Sequence, residues 1–391
     1  MQGRKLVACL VAVVFTAGCP NKESLGLSAM SVLGPGVIND PKNKSLRFDI
    51  LKFGLGEFCR EMQERGAPLK LRDGDPVLGR FFADGCNTQI IDEDERKSLI
   101  VQYTGKGYGW TNLTGRLGFQ SAGLVEYEPD FQLEGGAMYV YFRPKNVASA
   151  SFQTLLVESA VARTGIAITG VNPDQLGRDI VDGQLKRGFT VIRKSSNGET
   201  DFGMGVVPPG STPFRPFYVE SADKVTLDDD RTEVHANQQD MVGGFTVASD
   251  DQALTLTMKV DGAPAVDVFL LTKDAGDQVV AGYVKTPGPS LLPGPPLFSD
   301  TVAAGTVWKR QVPVPKGSYY LFVDNSAALG NAAPPVIAGD DRAATVDYVV
   351  EAGDRLARVG SGRAEHRRNR GTPEKGPLIR CSVVAHQGRH G

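Results

Sequence analysis

The side chains best suited to catalysis are scarce in this sequence and poorly placed for it. Four histidines occur among 391 residues, His235, His366, His386 and His390. The last three fall in a stretch without hydrophobic periodicity. A Ser-His-Asp arrangement, in which an imidazole takes the proton of a hydroxyl, would therefore have to use His235. That residue sits in an alternating stretch, where a packed or surface imidazole serves equally well. No GxSxG elbow lies between a strand and a helix; Gly360-Ser361-Gly362 belongs to the aperiodic tail. No HExxH and no P-loop occur. The acidic runs Asp92-Glu93-Asp94-Glu95 and Asp228-Asp229-Asp230 invite a calcium hypothesis, but EF-hand spacing and its glycine are absent. Both runs are expected to be solvated turns. A glycosidase needs only two carboxylates, and 45 Asp plus Glu offer many pairs without selecting one. The expectation is a non-enzymatic protein with no cofactor and no metal.

Sulfur chemistry is more informative. Arg4 and Lys5 precede an apolar run from Leu6 to Phe15, and Thr16-Ala17-Gly18 lead into Cys19. This is the layout of a secretory signal peptide, too short to span a bilayer with its ~20-residue requirement. The Ala17-Gly18-Cys19 ending resembles the lipobox of bacterial lipoproteins, with Thr16 where that family usually has Leu. The resemblance implies removal of residues 1–18, acylation of Cys19 and a membrane as partner. Pro20 after the cysteine, rather than Asp, implies the outer membrane. The alternative is an ordinary cleaved signal peptide with an incidental cysteine. Cys9 would leave with the leader. In an exported chain disulfides persist, and Cys59 and Cys86 flank one structural unit, so they are expected to pair. Closing that loop stabilises by roughly 3 kcal/mol; two buried free thiols are the alternative. Cys381 is left over in the tail. No CxxC or Cys/His metal spacing occurs.

Composition is that of a globular chain, 41% hydrophobic and 23% charged, with a net charge of −2 that gives no case for nucleic acid. From Arg355 onward nine Lys or Arg face two Glu, so the tail is basic and the body acidic. The basic tail either touches anionic lipid or polyanions or has no role.

These residues must be positioned by a small set of elements. Residues 20–44 are rich in Pro, Gly, Asn, Lys and Ser and read as a tether. Ser45 caps an amphipathic helix carrying Phe48, Leu51, Leu55, Phe58, Cys59 and Met62, closed by Gly66. Gly54 and Gly56 inside it are candidates for close approach by a strand. Two strands surround the Asp92–Glu95 turn, and Gly105-Lys106-Gly107-Tyr108-Gly109 is expected to turn after a strand ending at Thr104. Leu117, Phe119, Ser121, Gly123, Val125 and Tyr127 alternate onto one face, as do Met138, Val140 and Phe142. Phe152 to Val157 adds a strand. Asn172-Pro173-Asp174 starts a second helix with apolar Leu176, Ile180, Val181 and Leu185, closed by Gly188. A hairpin follows from Phe189 to Val207 through a Ser195-Ser196-Asn197-Gly198 turn. Residues 220–352 offer eight strands: Thr232–His235, Gly244–Val247, Leu254–Val260, Val266–Leu271, Gln278–Val284, Val307–Val314, Ser318–Val323 and Thr345–Val350. No helix is expected among them, and Pro287 to Pro296 reads as a long loop.

The fold expected is an α+β N-terminal domain, an antiparallel sheet with two helices, followed by an all-β sandwich of jelly-roll type and a disordered tail. The boundaries are signal peptide 1–18, tether 19–44, α+β domain 45–219, sandwich 220–352 and tail 353–391. The element order of residues 45–207, with its helix from Pro173, resembles tubular lipid-binding (TULIP-type) domains. That resemblance implies a groove for an acyl chain lined by Met138, Val140 and Phe142; a closed core is the alternative. Ala265-Val266-Asp267-Val268-Phe269-Leu270 and Pro315 to Leu321, ending in Asp324-Asn325-Ser326, are similar to prepeptidase C-terminal domains, which implies a binding or spacing sandwich. Two functions follow as expectations. One is an anchored lipoprotein holding a lipid or another envelope component. The other is a structural or adhesion lipoprotein meeting polysaccharide or protein through the sandwich.

Overall fold

The structure, a computed structural model, describes residues 34–112, 114–159, 172–194, 200–217, 224–334 and 342–355. All lie within the unit that runs from Met1 to Arg355; a second unit, Leu356–Gly391, holds none of them. Cys19, Cys381, His366, His386, His390, the Ser195–Gly198 turn and residues 356–391 are outside the described residues, whereas Gly353 and Asp354, expected in the tail, end the last strand. The described chain is mostly strand, arranged in antiparallel sheets with a few helices.

The first sheet has seven strands in sequence order: β1 (Ala67–Pro68), β2 (Gly79–Asp92), β3 (Lys97–Thr111), β4 (Gly115–Glu134), β5 (Ala137–Val157), β6 (Phe189–Lys194) and β7 (Thr200–Met204). Strict alternation drives this meander. Along β4, Leu117, Phe119, Val125, Tyr127, Phe131 and Leu133 all face inward and are buried. The acidic run at Asp92–Glu95 is the exposed β2–β3 turn. The turn expected at Gly105–Gly109 does not form: β3 runs straight through it. A Cβ on Gly107 would sit 2.5 Å from the Phe119 ring and 2.7 Å from the Arg80 carbonyl, so this glycine makes room for a ring and a neighbouring backbone.

Helices cover one face of this sheet. The segment read as tether is folded from Pro35: α1 (Pro35–Ile38) buries Ile38, and Asn39 clasps the Leu133 backbone through its side-chain Nδ2 and Oδ1, both at 2.9 Å. The first long helix is two helices, α2 (Lys44–Leu55) and α3 (Phe58–Glu64), broken at Gly56-Glu57. Nothing stands within 4 Å of a Cβ built on Gly54 or Gly56, so no strand approaches there; the glycines weaken the helix and let it end. The second expected helix is α4 (Pro173–Arg187). Asn172 Oδ1 accepts from the Asp174 amide at 2.9 Å, and Gly188 closes the helix at φ 66°.

The second sheet system has eight strands: β8 (Lys224–Val234), β9 (Gln238–Val247), β10 (Gln252–Asp261), β11 (Ala265–Thr272), β12 (Phe298–Ala303), β13 (Trp308–Pro313), β14 (Gly317–Asn325) and β15 (Ala344–Asp354). Two four-stranded antiparallel sheets, β13-β10-β15-β8 and β12-β11-β14-β9, share one core of Val242, Leu254, Leu256, Met258, Leu270 and Leu321, among others. It is a β-sandwich, but not all-β. The expected strand Gln278–Val284 is the end of α5 (Lys273–Tyr283), capped by Thr272, whose hydroxyl accepts from the Ala275 amide. Val279, Val280, Tyr283 and Val284 fall on one helical face and pack on Phe269 and Phe322 of the sheet beneath. The eighth strand is instead β12, which lies just past the proline-rich loop.

One side of the sandwich closes on itself. Its edge strands β12 and β13 bring Asp300 to Trp308 Nε1 at 3.1 Å and to Arg310 Nε at 3.3 Å. Charged side chains on an edge strand discourage pairing with another chain. The other side, between edge strands β8 and β9, is closed by the first sheet.

Candidate functional site

That closure gathers a buried set of titratable side chains. It begins with backbone. Val77, in the loop before β2, donates to the Arg231 carbonyl at 2.8 Å and accepts from the Glu233 amide at 3.0 Å, forming a one-residue parallel bridge to β8. Glycines allow further contact. A Cβ on Gly118 would lie 2.0 Å from the Val284 carbonyl, and one on Gly244 2.4 Å from the Glu64 carbonyl.

Charged side chains fill the seam. Arg80, 1% exposed, donates from Nε and Nη2 to both Asp240 carboxylate oxygens at 2.9–3.1 Å. The Tyr108 hydroxyl donates to Asp240 at 2.7 Å and accepts from the Met241 amide at 2.9 Å. Arg80 Nη2 also reaches the Tyr348 hydroxyl at 3.3 Å, which donates to Asp228 at 3.4 Å. Lys70 Nζ holds both oxygens of buried Asp230 at 2.8 and 3.0 Å. Asp229, on the opposite face of β8, meets Arg215 Nε at 3.3 Å. Burial alone would lower the Arg80 guanidinium, but Asp240 beside it holds it well above its usual value. Burial pushes the Tyr108 and Tyr348 hydroxyls far up, so both stay protonated donors.

The acidic run Asp228–Asp230, expected as a solvated turn, is thus part of a strand inserted between two layers. Charge runs are solvated when one face of their element meets water; the Asp228–Asp230 stretch of β8 meets Lys70 and Tyr348 on one face and Arg215 on the other.

His235 lies beside this seam. Its ring stacks on Trp110, centroids 3.3 Å apart and planes 8° apart, and its Nε2 is 2.8 Å from Glu233 Oε1. The cleft there holds about 20 Å³, room for one water. Its walls include Trp110, Arg116, Gln239 and Tyr283 and carry no serine, threonine or cysteine. The two hydroxyls that line it, those of Tyr108 and Tyr283, are engaged with Asp240 and with the Gln239 amide. Arg116 stacks on Tyr283 at 3.7 Å, donates to Glu158 Oε1 at 3.1 Å, and donates to the Thr286 and Gly288 carbonyls at 2.7 and 3.0 Å. All three of these hydrogen bonds come from Nη2 and join β4 to Glu158 and to the loop after α5, while Nε and Nη1 are buried without a hydrogen-bond partner among the described residues.

Cys59 of α3 and Cys86 of β2 form the expected disulfide, with Cα atoms 5.3 Å apart. It pins α3 to the sheet. Between them, Phe58, Tyr127, Phe142 and Phe189 form a ring cluster with centroids 4.4–6.4 Å apart. Met138 and Phe142, expected to line an acyl groove, are buried in that same core. Sequence pattern marked the helix and strands of this core; it could not mark the Arg80–Asp240 contact, whose partners are 160 residues apart.

Comparison with models of known protein families finds no match, and comparison with curated protein sequences finds none. Among solved structures, the chain is similar to one described as "Bacillus endospore appendages form a novel family of disulfide-linked pili", at 13% identity over 37% of this chain and 98% of that one, TM-score 0.20. It is also similar to the infectious bursal disease virus Gx strain structure, at 12% identity over 73% of this chain and 74% of that one, TM-score 0.18. A crystal structure of the infectious bursal disease virus VP2 subviral particle matches at 11% identity over 73% and 74%, TM-score 0.18. Likenesses at these scores carry no argument about function.

Proposed function

We propose that this is a membrane-anchored lipoprotein of the cell envelope, acylated at Cys19, whose folded body is a rigid non-catalytic module that meets polysaccharide or protein at its surface. One observation carries the choice of surface over interior: the aromatic rings of Phe58, Tyr127, Phe142 and Phe189 occupy the space between the helices and the seven-stranded sheet, where a TULIP-type domain would hold an acyl chain. Packed rings at van der Waals distance leave no room for a lipid without unpacking the core. The buried pairs Arg80–Asp240 and Lys70–Asp230 support rigidity, because they tie the first sheet and the loop before β2 to the sandwich.

We infer further that the sandwich is a jelly roll. Counting its strands from β8, the first, eighth, third and sixth share one sheet and the second, seventh, fourth and fifth the other, the order that supports two interlocked Greek keys. Such a sandwich is a common scaffold for surface recognition, in keeping with the similarity of its strands to prepeptidase C-terminal domains. The outer membrane is the proposed location, from Pro20 after Cys19.

The anchor is tested by metabolic labelling with a palmitate analogue in wild type and Cys19→Ser. Label in wild type and its loss in the variant are expected. Equal label in both would refute the anchor.

A further inference from the structure

The acidic run on β8 carries more than a structural role, because of how its charges are counted. On the face turned toward the sandwich edge, Asp228, Asp230 and Asp240 gather around two buried cations, Lys70 and Arg80. Asp240 takes Arg80 through both oxygens and Asp230 takes Lys70 through both. Asp228 is left with the Tyr348 hydroxyl at 3.4 Å, and with the longer-range fields of Arg80, Arg65 and Lys70. Arg65 itself is exposed and reaches β8 through the Leu227 carbonyl at 3.2 Å. On the other face, Asp229 and Asp201 share Arg215, with Lys194 Nζ 3.2 Å from Asp201. Beyond them on the same face Arg231 pairs with Asp347 of β15. Three consecutive carboxylates on one edge strand are thus held between two layers with one charge in excess on the inner side.

We propose that Asp228 and Asp229, which adjoin the Lys70–Asp230 pair, form a proton-operated latch: when they carry protons they hold the first sheet in the open side of the sandwich, and when they ionise the seam loosens.

Mutual repulsion and burial both favour the protonated forms. Burial, the largest cause for each, pushes Asp228 up, Asp229 up to about 8 and Asp230 up to about 6, against a usual 3.8. Lys70 draws Asp230 down and Arg215 draws Asp229 down, but neither cancels the burial. The folded state therefore binds protons more tightly than the unfolded chain. Its stabilisation is complete below pH 3.8 and is lost as pH rises through about 6 and then about 8. The seam weakens across the range in which ordinary carboxylates are already fully ionised.

The latch predicts a local readout. The Val77 and Glu233 amides, which make the backbone bridge across the seam, are followed by hydrogen–deuterium exchange on the full chain at pH 6 and pH 8.5, corrected for the intrinsic rate. Their protection is expected to fall by about tenfold or more, equivalent to one pKa unit of coupling, while amides in β10 and β11 keep theirs. An Asp228→Asn/Asp229→Asn variant, which leaves Asp230 on Lys70 as the one carboxylate of the run that titrates, is expected to keep most of its protection at pH 8.5. Constant protection of Val77 and Glu233 in wild type would overturn the proposal. So would a fall shared equally by β10 and β11, which would mean global unfolding, or a fall in the Asn variant as large as in wild type. The wild-type series decides the matter even if the variant does not fold.

Discussion

Replacing Asp240 with leucine removes the acceptor of a guanidinium that is 1% exposed and makes three contacts of 2.9–3.1 Å to that carboxylate. Two unit charges about 4 Å apart attract by roughly 4 kcal/mol at an effective dielectric near 20. Stranding one buried partner costs about 3–5 kcal/mol. Domains are stable by about 5–15 kcal/mol in all, so Asp240→Leu removes a large fraction of that margin. Urea unfolding followed by circular dichroism measures it. With slopes of about 1–3 kcal/mol per molar, the midpoint falls by roughly 1 M or more. A second variant separates charge from packing. Arg80→Met with Asp240→Leu removes both charges and is expected to regain most of the loss. A remainder of about 1–3 kcal/mol stays, because the Tyr108 hydroxyl has lost its acceptor. A loss below about 1 kcal/mol in Asp240→Leu, or a double variant as damaged as the single, would refute the reasoning that this ion pair holds the seam.

Three further outcomes follow from the same geometry. Cys59→Ser/Cys86→Ser opens a loop of 27 residues and is expected to cost roughly 3 kcal/mol, read as a lower melting temperature that added reductant no longer shifts. Gly118→Ala places a methyl 2.0 Å from the Val284 carbonyl of the segment after α5, so overpacking of about 1–3 kcal/mol is expected, with Gly135→Ala, which meets nothing within 4 Å but holds φ 56°, giving the smaller loss that comes from backbone strain alone. Glu126 is held down to about 2 by its hydrogen bonds to Arg96, with Ser98 assisting, while burial opposes them. Its stabilisation is present above the usual 4.5 and is lost as pH falls through 2, so Glu126→Gln should flatten the acid limb of the stability curve. An unchanged acid limb in that variant would contradict the assignment.

The parts of the fold that were legible are those whose signal is local. β4 announces itself because Leu117, Phe119, Val125 and Tyr127 alternate onto one face with only small Ser121 and Gly123 between them, and α4 because Asn172 and Pro173 satisfy and pre-set its first turn. The cysteine pair followed from its spacing across α3 and β2. α5 was illegible because Val279, Val280 and Val284 favour strands intrinsically, and burial against Phe269 and Phe322 overrides that preference. Gly105–Gly109 looked like a turn because glycine marks both turns and close approaches, and only the Phe119 ring and the Arg80 carbonyl tell which. The seam was the least legible. Arg80 and Asp240, or Lys70 and Asp230, carry no local pattern that joins them, and Asp228–Asp230 resembles any solvated acidic run until a second layer covers it. His235, the one histidine that sequence singled out, does lie beside the seam, stacked on Trp110 and paired with Glu233.

The core beneath the seven-stranded sheet's helices is closed by its own rings. Native mass spectrometry of the Cys19→Ser chain, purified from envelope extracts and followed by organic extraction of the same sample, tests this most directly. The expected result is a single mass for the chain alone, with no acyl species in the extract. A lipid adduct recovered in constant proportion across preparations would contradict the closed core and restore the acyl groove.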